Sequence, residues 1–75
     1  MVLKLKEDWT EIAATEGMLY APERSVEVST EKEAGSGILL EAGKAFPFKV
    51  KAKLYARAAS GHAQLNVLAI TLPTG

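Results

Sequence analysis

The sequence predicts an all-β fold: a compact single-domain sandwich or barrel of about seven to eight short antiparallel strands, with little or no helix. Two observations predict it. Turn-forming residues recur at short, fairly even intervals: Gly17, Pro22, Gly35, Gly37, Gly43, Ser60-Gly61 and Pro73. Apart from the longer stretch between Gly43 and Ser60, the segments between them run about 5–12 residues, which suits strands better than helices. The clearest segment, Phe46 to Ala58, then alternates strictly. Phe46, Phe48, Val50, Ala52, Leu54, Ala56 and Ala58 fall on one parity, and Pro47, Lys49, Lys51, Lys53, Tyr55 and Arg57 on the other. Period two is the signature of a strand, whose side chains point alternately to opposite faces.

Taken in order, Val2-Leu3-Lys4-Leu5-Lys6 alternates weakly and is read as a strand. Asp8 to Ala14 has two readings. An Asp-x-x-Glu capping box with a Trp9/Ile12/Ala13 stripe suits a short helix. A strand from Trp9 to Ala13, turning at Glu16-Gly17 into Met18-Leu19-Tyr20-Ala21, is favoured because Trp, Thr and Ile suit strands. In Ser25–Ser29, Val26 and Val28 share one face. Thr30 to Gly37 is a polar loop, Gly37–Leu40 a short buried strand, and Glu41–Lys44 a turn. Phe46–Ala58 is too long for one strand of ordinary length, so a bend is expected near Val50–Lys53. Pro47 offers the ladder no N–H, which places it on an edge strand or near a strand's start. Ala59–His62 reads as a hairpin loop with Gly61 free to take positive φ. The last strand, about Ala63 to Leu72, starts with Ala63, Leu65 and Val67 on one face. It ends with Leu68, Ile70 and Leu72 on the face that Gln64 and Asn66 hold earlier. Trp9 is read as a core anchor.

Size raises the question of what stabilises such a domain. A chain of 75 residues buries only about 60% of the surface that its unfolded state exposes. Small domains commonly add disulfides, a metal or self-association. There is no cysteine and one histidine, His62, so a disulfide, a thiolate metal site and a multi-histidine site are excluded. Oligomerisation is left. The expected interface takes Val2, Leu3 and Leu5 from segment 1–6, and Leu68, Ile70 and Leu72 from segment 68–75, because terminal strands with apolar faces and open edges suit pairing across a subunit boundary. A closed oligomer is expected over an open fibre, since most homo-oligomers are closed.

Composition narrows function further. With 48% hydrophobic and 24% charged residues, the chain is too apolar for disorder. No apolar run approaches the ~20 residues that span a bilayer, and the N-terminus lacks a signal-peptide core. No membrane partner is therefore expected. The net charge of zero hides an asymmetry. Residues 1–43 hold all nine carboxylates against four cations, and residues 44–75 hold five cations and no carboxylate, which is −5 against +5. The halves either interleave in the fold or form an acidic and a basic side. Lys49, Lys51, Lys53, Tyr55 and Arg57 on one parity are candidate contacts for single-stranded nucleic acid, with Tyr55 as a stacking platform. Nucleic-acid domains are usually basic overall, and a pI near 6.6 argues against this reading. No catalytic constellation, cofactor site or metal site is expected. A Ser-His-Asp triad would need His62 and the distant Asp8, and Gly35-Ser36-Gly37 lacks the Lys-Ser/Thr of a phosphate-binding loop.

Four stretches carry a resemblance. They are Trp9–Ala13, then Ser36-Gly37-Ile38-Leu39-Leu40-Glu41-Ala42-Gly43-Lys44-Ala45-Phe46, then Lys53–Ala58 with Ser60–Val67. The order resembles small all-β virion modules of tailed bacteriophages, of the head-decoration, head-fibre or tail-accessory type. Those read as a strand, a G-[IV]-x-L-x-x-G-x turn, an aromatic-Ala-Arg strand, a Ser-Gly turn and a β-rich final strand. The resemblance covers about residues 9–67. It implies a structural protein that self-associates and docks on a larger assembly, located in the virion. A chain outside that family would be cytoplasmic, and a small binding module for single-stranded nucleic acid or carbohydrate is the alternative.

Overall fold

A computed structural model describes residues 1–33, 35, 37–51 and 53–69. Among the described residues eight strands form: β1 (Val2–Leu5), β2 (Thr10–Ile12), β3 (Glu16–Tyr20), β4 (Val26–Ser29), β5 (Ile38–Leu40), β6 (Ala45–Lys49), β7 (Leu54–Ala58) and β8 (Ala63–Ala69). They make two antiparallel four-stranded sheets, sheet A in the order β1-β8-β3-β6 and sheet B in the order β2-β7-β4-β5. The described residues contain no helix long and apolar enough to cross a membrane.

Alternation builds the core. Each strand points one parity inward: Leu5, Ile12, Leu19, Val26, Leu40, Phe48, Leu54 and Leu65 are buried between the sheets, with Val28 and Val67. β7 contributes Leu54, Ala56 and Ala58 to this face. Its short alanines let the sheets close up. β7 comes within 8 Å, Cα to Cα, of β1 and β8, nearer than the ~10 Å usual for stacked sheets. The Phe46–Ala58 segment divides as expected, with the bend between β6 and β7. Pro47 lies on an edge strand of sheet A, where its missing N–H costs no ladder bond.

The connections depart from the sequence reading. Only β4 and β5 are consecutive strands of one sheet; every other connection crosses between sheets. Ala59–His62 is therefore an arch from sheet B to sheet A rather than a hairpin loop, although Gly61 does take positive φ, 63°. Its start is held by Ala58 N–H donating to Lys6 O and Ala59 N–H donating to Ser25 O, and Gly61 N–H donates to Glu7 Oε2. Trp9–Ala21 is likewise no hairpin. β2 and β3 lie in different sheets, and the chain turns at Ala13–Thr15, with Val50 N–H donating to Thr15 O. The short-helix alternative for 8–14 does not form. Gly17 sits inside β3 because a Cβ there would fall on the carbonyl oxygen of Leu68 in the neighbouring strand.

Three burial expectations are corrected. Trp9 is half-buried outside the core, because it flanks β2 on the outer face of sheet B. In β5 only Leu40 is buried, because Ile38 lies at the mouth between the sheets and Leu39 points to the outer face. Leu5 belongs to the subunit's own core at 1% exposure, and Leu3 packs against that core. Their side chains are on the inner face of β1 and do not offer an external interface.

Candidate interaction surface

The outer face of sheet A collects the parities that the core leaves over. β1 contributes Val2 and Lys4, β8 Gln64, Asn66 and Leu68, β3 Met18 and Tyr20, and β6 Ala45 and Pro47. The register sets them side by side. Met18 lies between Leu68 on one neighbour and Pro47 on the other, and Tyr20 between Asn66 and Ala45. Met1 is tied to β8 by its ammonium donating to Val67 O and by Val67 N–H donating to Met1 O. The result is an apolar stripe of Met1, Val2, Leu68, Met18, Tyr20 and Pro47. Leu68 is 70% exposed and Val2 57%. Together the large side chains expose roughly 500 Å², comparable to the largest apolar patch of a typical monomer, which is often functional.

This face has relief. Leu68 stands between two shallow grooves. One, of about 410 Å³, lies between Met18, Pro47 and Phe48. The other, of about 370 Å³, lies between Met1, Val2 and Tyr20. An apolar side chain flanked by two largely apolar grooves is a shape that a second copy of the same face can complement. Lys4 and Lys49 sit at the two edges, Glu16 at one end and the Met1 ammonium against Val67 O, so no charged side chain stands at the centre.

Of the residues expected at an interface, Val2 and Leu68 lie on this exposed face. Leu3 and Leu5 do not, and Ile70 and Leu72 fall outside the described residues. Met18 and Tyr20 were not anticipated. Their signal was present, since both flank Leu19 in the opposite parity, but their exposure follows only from knowing that β3 is a central strand with one buried face. The reasoning from an open edge also changes. β8 pairs with β1 along 63–66 and with β3 along 66–69, so Leu68 has a strand partner on the β3 side, and its exposed side chain lies on the outer face.

The outer face of sheet B is of another character. β7 lies between β2 and β4, so the basic half of the chain is laid between acidic strands and the two halves interleave. Lys53 Nζ stands 3.3 Å from Glu11 Oε1, an exposed pair of small energetic weight. Arg57 is half-buried. Its Nη2 and Nε lie 2.8 and 2.9 Å from Glu27 Oε1, and its guanidinium stacks 5.1 Å from the Trp9 ring centroid. The other Glu27 oxygen accepts from Gly35 N–H at 2.8 Å, which ties Gly35 to the sheet. The Arg57 hydrogen bond, helped by the Gly35 and Gly37 N–H groups, holds the Glu27 carboxyl below the usual glutamate range against its partial desolvation. Lys32 Nζ lies 4.9 Å over Tyr55.

The five residues read as nucleic-acid contacts are thus not one track. Lys49 ends β6 in sheet A, Lys51 lies in the bend, and Lys53, Tyr55 and Arg57 lie on sheet B, where both cations have carboxylate partners. Among the described residues no three His, Cys, Asp or Glu side chains converge to hold a metal ion. Compared with known protein families, characterised proteins and solved structures, the chain matches none.

Proposed function

We propose that this chain is a structural protein, a small β-sandwich that self-associates through the outer face of sheet A and docks on a larger assembly. The observation that carries the reading is the stripe of apolar side chains from Met1, Val2, Leu68, Met18 and Tyr20 on a sheet whose other face is the core. A two-fold pairing would seat Leu68 of each copy in a groove of the other, the isologous contact commonest among homo-oligomers. Burying the stripe and its polar rim approaches the ~800 Å² per partner of a standard interface. The resemblance of residues 9–67 to phage virion modules supports the assembly role and suggests a capsid-decoration or tail-accessory protein. No catalytic role belongs to this proposal. The alternative is a module for single-stranded nucleic acid or carbohydrate; its nucleic-acid form is weakened because Lys49, Lys51 and Arg57 do not share one strand and Arg57 is paired with Glu27.

Two exposed positions test it. Met18→Asp and Leu68→Asp each place a charge in the centre of the stripe without touching the core. Light scattering should then give the monomer mass of 8.0 kDa while the circular dichroism spectrum is unchanged. Variants that keep the wild-type oligomer mass would overturn the reading.

A further inference from the structure

The four edge strands are not alike. Edges invite pairing with another chain, and proteins blunt them with charge or proline. β1 carries Lys4, β2 carries Glu11, and β6 carries Pro47 and Lys49. β5 is Ile38-Leu39-Leu40, with no charge and no proline, and it leaves Ile38 47% and Leu39 59% exposed. Beside it the sandwich is open. A mouth of about 400 Å³ lies between β5 and β6, lined by Ile38, Phe46, Phe48, Val50 and Leu54.

We propose that β5 is a second self-association site, at which β5 of another copy adds antiparallel and extends sheet B across the subunit boundary. The register supports a second copy as the occupant. Pairing centred on Leu39 sets Leu39 beside Leu39 of the other copy on the outer face, and Ile38 beside Leu40 on the inner face. Every new cross-strand pair is apolar. Glu41, the first charge after the strand, meets Gly37 of the other copy rather than another Glu41, so no like charges oppose. Glu27, the next residue inward from Leu39, is already paired with Arg57. The added strand also roofs the mouth.

Three residues per copy make a contact well below a standard interface. The site therefore works where copies are already gathered, at the millimolar effective concentrations that linkage provides. In this sense it rests on the proposed assembly through sheet A. Two self-complementary surfaces on one subunit carry association beyond a pair.

The chain has no cysteine, so a single introduced thiol reports cleanly. Antiparallel partners stand about 4.5–5.5 Å apart, Cα to Cα, inside the window that a disulfide spans. Leu39→Cys, treated with oxidised glutathione at the concentration where the protein is oligomeric, should form disulfide-linked dimers at least tenfold faster than Glu23→Cys, an exposed collision control. The rate should fall to the control level when Leu68→Asp is added. Leu39→Lys should lower the mass by light scattering to that of the pair joined through sheet A. A control-level rate for Leu39→Cys while Leu68→Asp still dissociates the oligomer would overturn the edge site alone. A fast rate with Leu68→Asp leaving the mass unchanged would uphold the edge site as an independent contact and overturn the sheet A reading. A wild-type monomer with a control-level rate would overturn both.

Discussion

Phe48→Ala measures how much of this small fold rests on one ring. Phe48 lies on β6 opposite Gly17 of β3, buried between the sheets at the mouth beside β5. Cutting the ring to a methyl removes roughly 120–150 Å² of apolar surface from the core, about 3–4 kcal/mol at 25 cal/mol per Å². Measured truncations of buried phenylalanine span about 3–5 kcal/mol. A domain of this length has roughly 4–11 kcal/mol in total, so the variant loses from about a quarter of its stability to all of it. Urea titration followed by Trp9 fluorescence suits the test, because Trp9 is stacked on Arg57 and only half-exposed in the fold. Variants are compared at one protein concentration, since association itself stabilises. Lys51→Ala, in the exposed bend, is the companion and should change stability by less than about 0.5 kcal/mol. Equal shifts for the two variants would refute the inward register of β6 and the core built on it.

Three further outcomes follow from the same geometry. Gly17→Ala should destabilise by about 1–3 kcal/mol, because the new methyl meets the Leu68 backbone rather than a flexible side chain; an unchanged urea midpoint would contradict the β3–β8 packing. Glu27 holds its proton less readily in the fold than an unfolded glutamate near pH 4.3 does. Its contribution is therefore full above that pH and lost as pH falls through the lower folded value. Glu27→Gln should flatten this acid limb in pH-dependent unfolding and speed amide exchange at Gly35; an unaltered acid limb would refute the role. Finally, single-stranded oligonucleotides at physiological salt should bind more weakly than about 10 μM; tight binding with a steep salt slope would favour the alternative function.

The strands were legible because the signal is local. Val26 and Val28, or Leu54, Ala56 and Ala58, announce their inward parity from neighbouring residues alone, and Pro47 marks its own edge. The partition into sheets was not, because it depends on partners far away in the chain. Val2 pairs with Asn66, and Thr10 with Ala56. Nothing local distinguishes a hairpin from an arch at Ala59–His62 when Gly61 serves both. The proposed interaction surface was half-legible for the same reason. Leu68 breaks the alternation of its own strand and so draws attention, whereas Met18 and Tyr20 look like ordinary members of a strand until Leu68 and Pro47 are placed beside Met18. Leu5 misled because an apolar terminal segment reads the same whether it packs on its own core or on another copy.

The central claim is self-association, and light scattering on the wild-type protein across a concentration series tests it most directly. Specific interfaces of ordinary strength are formed by about 100 μM. At that concentration the account predicts a mass that is a multiple of 8.0 kDa and falls on dilution or on Leu68→Asp substitution. A well-folded protein that keeps the mass of a single chain up to 100 μM would contradict it.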